Sequence, residues 1–217
     1  MKIVRKMKFL VGSLLLLSSS MASASLITVD GFEADALQLS TTFEEFYNFD
    51  NGNTWSANTG LEQANSVVAF MAETATDTAL FLIFGGLGGD AGSADFDISG
   101  TNGAVTFADD SAEMPTGTNV LFNYAADKTD GLIFSGLSDP FWSIDIVFNA
   151  LSGIDSLVFY TFDQQGVSSV LFETSDTPTN LSISGAPDTS NITQVSAPMT
   201  SALMLSALGF LLFRRKR

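Results

Sequence analysis

The stretch GGLGGDAGSADFDISGTNG, residues 85–103, places Asp95, Asp97 and Ser99 at alternate positions ahead of Gly100. Oxygen side chains at that spacing before a glycine open a calcium loop of the EF-hand type, because a hard cation takes oxygen ligands and the glycine permits the sharp turn. The rest of the pattern fails. Position twelve is Thr106, where a bidentate glutamate is needed, and no helical periodicity flanks the loop. The same residues also fit a strand, with Phe96 and Ile98 facing a core and Asp95, Asp97 and Ser99 facing water. Calcium is the one cofactor for which the residues offer a place, and Asp90, Asp109 and Asp110 could join such a site only through folding.

Other chemistry is narrowed by what the chain lacks. With no histidine and no cysteine there is no Ser-His-Asp triad, no Cys-His pair and none of the usual zinc ligand sets. The glycines 85, 86, 88 and 89 are followed by no lysine and sit in no βαβ setting, so they read as a hairpin turn and not as a phosphate loop. A pair of carboxylates remains, as in a glycoside hydrolase, with Asp139, Asp145, Asp155 and Asp163 as exposed-face candidates; such a pair is defined by spatial separation, which sequence spacing does not give. The expectation is a protein without enzymatic activity.

Charge separates the chain into a body and two tags. Of nine basic residues, Lys2, Arg5, Lys6 and Lys8 lie at the start, Arg214, Arg215, Lys216 and Arg217 at the end, and only Lys128 between, where all 24 carboxylates fall. One lysine less 24 carboxylates leaves that interior at −23. Such a surface repels polyphosphate, so nucleic acid is excluded as a partner. Metal cations, basic partners or plain solubility suit it.

At the N-terminus the basic region leads into the apolar run Phe9–Leu17 and the small-residue triplet Ala22-Ser23-Ala24. That order is the pattern of a secretory signal peptide for the Sec translocon, residues 1–24, cut after Ala24 to leave Ser25 first. Without cysteine no thiol-linked lipid anchor can follow. At the other end, Val195–Phe213 is 19 residues, which as a helix would extend about 28 Å against a hydrocarbon core of about 30 Å. Small and polar residues interrupt it, Pro198 suits a first helical turn, and the basic tail would stay cytoplasmic. Hydropathy alone reads this as a single transmembrane helix that anchors the chain in the inner membrane.

The same tail resembles the PEP-CTERM sorting signal: Val195, Ser196, Ala197 and Pro198 occupy the motif, 199–213 the helix, and Arg214, Arg215, Lys216 and Arg217 the basic cluster. Ser-Ala-Pro stands in place of Pro-Glu-Pro, so only the last proline matches. The resemblance covers residues 195–217. It implies recognition by a membrane-embedded cysteine transpeptidase, exosortase, which cuts near the motif and passes the body to the cell surface of a Gram-negative bacterium. Proteins with this signal tend to occur with exopolysaccharide production, so a role in the envelope or biofilm matrix is implied by the resemblance alone.

Residues 25–185 carry short β-prone runs separated by Gly, Asn, Asp, Ser and Thr clusters. The runs are SLITVD, TTFEEFYNFD, SVVAFMA, TALFLIFG, ADFDIS, AVTFAD, NVLFNYA, DGLIFSG, FWSIDIVFNA, DSLVFYTFD, SSVLFET and NLSIS. In the ninth, Trp142, Ile144, Ile146 and Phe148 alternate with Ser143, Asp145, Val147 and Asn149, a period of two that only a half-buried strand explains. The fold expected is all-β, an antiparallel β-sandwich of the jelly-roll kind, with a helical turn around Leu61–Asn65 and a polar linker at 186–194. An adhesive or carbohydrate-binding alternative predicts Trp55, Trp142 or Tyr160 on an exposed face, with Trp142 better suited to the core.

Overall fold

The computed structural model describes residues 25–48, 57–139 and 141–187. The expected signal peptide at 1–24, most of the expected linker at 186–194, the segment 195–217 read as a sorting signal, and Trp55 lie outside the described residues.

Among the described residues thirteen strands form two sheets. The first contains β1 (Ser25–Val29), β2 (Phe32–Ala34), β6 (Gly92–Gly100), β8 (Asn119–Tyr124), β10 (Trp142–Ser152) and β13 (Asn180–Pro187), in the order β2-β1-β13-β10-β6-β8. The second contains β4 (Ser66–Glu73), β5 (Thr78–Gly85), β7 (Ala104–Ala108), β9 (Thr129–Ser135), β11 (Ser156–Phe162) and β12 (Ser168–Glu173), in the order β12-β11-β4-β5-β9-β7, with β3 (Leu37–Gln38) against the end of β4. Pairing is antiparallel except for β11–β4 and β3–β4, which are parallel. The first sheet is therefore wholly antiparallel and the second mixed, where a wholly antiparallel fold is expected. β13 extends through Pro187, two residues past the expected edge of the body at 185.

Period two decides which face each strand buries. On β10, Trp142, Ile144, Ile146 and Phe148 are buried while Asp145, Val147 and Asn149 are exposed. The inward side chains of the first sheet meet Val67, Ala69, Met71, Leu80, Leu82 and Phe84 of the second in one apolar layer. β4 and β5 instead read as continuous apolar runs, because their other face is also covered. There Phe70, Phe81 and Ile83 pack beneath Phe43 and Tyr47.

That cover is a helix where sequence reading expects a strand. TTFEEFYNFD supplies α1 (Phe43–Tyr47). Thr42 Oγ1 accepts from the Glu45 N–H at 3.1 Å, and the Glu45 carboxylate accepts from the Thr42 N–H at 3.1 Å. This reciprocal box satisfies two otherwise orphaned donors, and Asn48 closes the helix in the left-handed region at φ 52°. Phe43, Phe46 and Tyr47 then fall on one helical face. The expected turn at Leu61–Asn65 is not helical; the Glu62 carboxylate accepts from Thr59 and Gly60 N–H groups and holds an irregular approach to β4.

Candidate functional site

Three carboxylates meet at the end of the second sheet. Asp109 directly follows β7, Asp130 lies on β9, and Glu113 ends a 3₁₀ turn at Ser111–Glu113. β7 and β9 are neighbours, with Ala108 opposite Leu132. The Asp109 N–H donates to Gly131 O at 3.2 Å, and the Gly131 N–H donates to Asp109 Oδ1 at 3.2 Å. From α1 the wholly buried Tyr47 donates its hydroxyl proton to Asp109 Oδ2 at 2.9 Å. Gly131 leaves room for that hydroxyl: a Cβ there would lie 2.5 Å from Tyr47 Oη and 2.7 Å from Leu82 O.

Asp109 is 8% exposed and Asp130 4%. Oxygens from Asp109, Glu113 and Asp130 all lie within 4.8 Å of one another. Asp130 thus stands beside two other carboxyl groups in a largely dry setting. Like charges this close and this buried disfavour full ionisation, so the surroundings favour the protonated forms. Burial, reinforced by the hydrogen bond and charge of Asp109, pushes the Asp130 carboxyl far above the usual carboxylate range. Burial likewise raises Asp109 against the lowering effect of its hydrogen bonds, and raises Glu113 together with the nearby Asp110 and Asp109 charges. Glu113 Oε2 is buried without a hydrogen-bond partner. The aromatic neighbours respond in kind: burial and then the Asp109 charge hold Tyr47 well above its ordinary value, and burial and then Asp130 push Tyr124 up to about 12.

A cleft of about 210 Å³ opens beside the cluster, lined by Asp109, Asp110, Asn123, Tyr124, Lys128 and Asp130 among others. The body's one lysine thus stands at its strongest concentration of buried carboxylate. The spacing of the three oxygens would also admit a metal ion, with Asp109, Glu113 and Asp130 as its protein ligands.

Asp95, Asp97 and Ser99 are on β6, with Phe96 and Ile98 buried between them. The expected loop is a strand, and there alternate side chains stand about 6.6–6.8 Å apart without converging. Neighbouring strands satisfy the carboxylates: Asn119 donates to Asp95 at 2.8 Å, and Asn149 donates to Asp97 at 3.0 Å. Asp90 bonds Asn65 instead of joining the cluster. Asp145 accepts from Ser182 on the outer face of the first sheet, and Asp163 accepts from Gln165 and Val167 N–H groups in a turn. Those two sit on separate elements from Asp139, before β10, and Asp155, between β10 and β11.

Trp142 is core, at 3% exposure, and Tyr160 is half-buried with its hydroxyl oxygen accepting from Gln63 Nε2. The exposed aromatics among the described residues are Phe32 and Phe141. Sequence reasoning missed Tyr47, Glu113 and Asp130. Asp109 and Glu113 are four apart, but off a helix that spacing carries no meaning, and Asp130 before Gly131 has the look of a turn.

No family model, no curated protein and no solved structure matches the chain. Among the described residues no helix is long and apolar enough to cross a membrane.

Proposed function

We propose that this chain is an exported, non-enzymatic protein of the bacterial envelope or extracellular matrix, delivered through an exosortase-type signal at its C-terminus. The observation that carries this reading is the order of the terminal segments: basic residues, Phe9–Leu17 and Ala22-Ser23-Ala24 at one end, Val195–Pro198, an apolar stretch and Arg214–Arg217 at the other. The body is consistent with passage in an unfolded state and folding outside, since it needs no disulfide and its two-sheet stack, read as a sandwich, supplies an apolar core of its own. Its acidic surface keeps it dispersed.

A reporter carrying residues 186–217 tests the tail directly. In a host with the transpeptidase, the fusion is cut and released to the surface, and Pro198→Ala leaves it uncut in the inner membrane. Release that does not depend on the transpeptidase, or an uncut fusion in every strain, contradicts the proposal.

A further inference from the structure

Both ends of the described body leave from one point. Ser25, where β1 begins, is the register partner of Pro187, where β13 ends. The flanking segments have equal length: seven residues, 18–24, separate Leu17 from Ser25, and seven, 188–194, separate Pro187 from Val195. Eight Cα steps reach at most about 29 Å even when fully extended. Whatever part of the chain is held by a membrane at either end, this end of the first sheet is held close to it.

The same end exposes apolar side chains. Leu26 is 41% exposed and pairs with Ala186 on β13. One step further along, Gly185 pairs with Trp142, the first residue of β10, so Phe141, immediately before that strand, lies at the same end of the sheet as Ala186. Trp142 is buried against Gly185, and Asn102 Nδ2 donates to Phe141 O at 3.1 Å. The backbone is therefore fixed on both sides of a ring that remains 69% exposed. Leu26 on β1, Ala186 on β13 and Phe141, the residue just before β10, form a row at this end of the sheet, about 10 Å wide at the ordinary strand spacing. An isolated exposed phenylalanine needs no explanation, but one aligned with a second apolar residue where both chain ends emerge does.

We propose that this row is the membrane-facing surface of the body, and that Leu26 and Phe141 enter the headgroup region of the bilayer while the chain is still tethered. The inference rests on the reading of Val195–Phe213 as a membrane segment. The occupant is a zwitterionic lipid surface, because Asp139 is exposed two residues before Phe141 and the body carries a large negative charge, both of which oppose anionic headgroups. The opposite end of the molecule supplies a control. Leu87, in the turn between β5 and β6, is 86% exposed and precedes Gly92, which starts β6 at the end remote from Gly100.

The chain has no cysteine, so Leu26→Cys, Phe141→Cys and Leu87→Cys each carry one environment-sensitive fluorophore on the full chain. Each is reconstituted into phosphatidylcholine vesicles containing spin-labelled lipid, and flotation reports membrane retention. The expected result is strong lipid quenching at positions 26 and 141 and little at 87. A label that inserts by its own hydrophobicity would be quenched at 87 as well. Equal quenching at all three positions, or none, in a chain that floats overturns the membrane-facing surface and leaves the tail reading intact. A chain that does not float overturns the tail reading and the surface with it.

Discussion

Asp130 concentrates the consequences of the buried cluster. Its carboxyl is raised in the folded state by burial and by Asp109, whereas the unfolded chain releases the proton near pH 4. Between those values the folded state binds more protons than the unfolded one, so stability falls as pH rises. The contribution is complete below about pH 4 and declines upward through neutrality, by up to about 1.4 kcal/mol per pH unit for each retained proton. Asp130→Asn is uncharged at every pH and keeps a donor for its neighbours. Urea unfolding across pH 5 to 9 is expected to show a steeper loss for the natural chain than for the variant, with the variant more stable at pH 8; parallel curves would show that the cluster holds no such proton. Gly131→Ala acts through space and not charge. Its Cβ meets Tyr47 Oη and Leu82 O, so a destabilisation of about 1–3 kcal/mol is expected in the same assay. Little of this site was legible beforehand. Asp109 is legible only as one of three carboxylates that folding could bring to the Asp95–Ser99 stretch, and not as a neighbour of Asp130, which lies 21 positions on and is joined to it by the β7–β9 pairing that nothing local marks.

Strands were the easier elements to read because alternation reports burial directly. β10 shows Trp142, Ile144, Ile146 and Phe148 inward as its pattern requires. Only one proposed strand changed class. In FEEFYNF the phenylalanines at 43 and 46 do not keep an even spacing, while Thr42-x-x-Glu45 is a helix-starting signature, and the two together outweigh the aromatic β-propensity of the segment. β2 and β3 were not anticipated, being too short to show a period. Thr42→Ala removes one arm of the cap and is expected to cost about 1 kcal/mol. Phe81→Ala opens a void where the ring stacks on Phe70 at 4.8 Å and lies under Phe43 and Phe46, and is expected to cost about 3–5 kcal/mol. Thermal unfolding of both variants checks the ranking, and an equal effect would mean that α1 is not a packed cover.

At the scale of the molecule, the last strand holds the first. β1 and β2 join the rest of their sheet only through β13, which pairs with β1 on one side and β10 on the other. A chain ended before Asn180 is expected to lose cooperative unfolding, whereas one ended after Pro187 retains it; circular dichroism during heating distinguishes them. In a chain exported as proposed, β1 could pair with β13 only after the last strand had crossed, because the two strands are joined through the whole length of the body. The sequence alone carried the terminal reading, since signal and tail depend on composition and order within short segments. In the proposed function these terminal segments direct export and sorting. Intact mass of the protein recovered from its own host, with and without the gene for the transpeptidase, tests it most directly. A species that begins at Ser25 and ends near Val195–Pro198, and disappears when the enzyme is deleted, is the predicted result. A species that retains Arg217 in both strains would contradict it and make the tail an ordinary anchor.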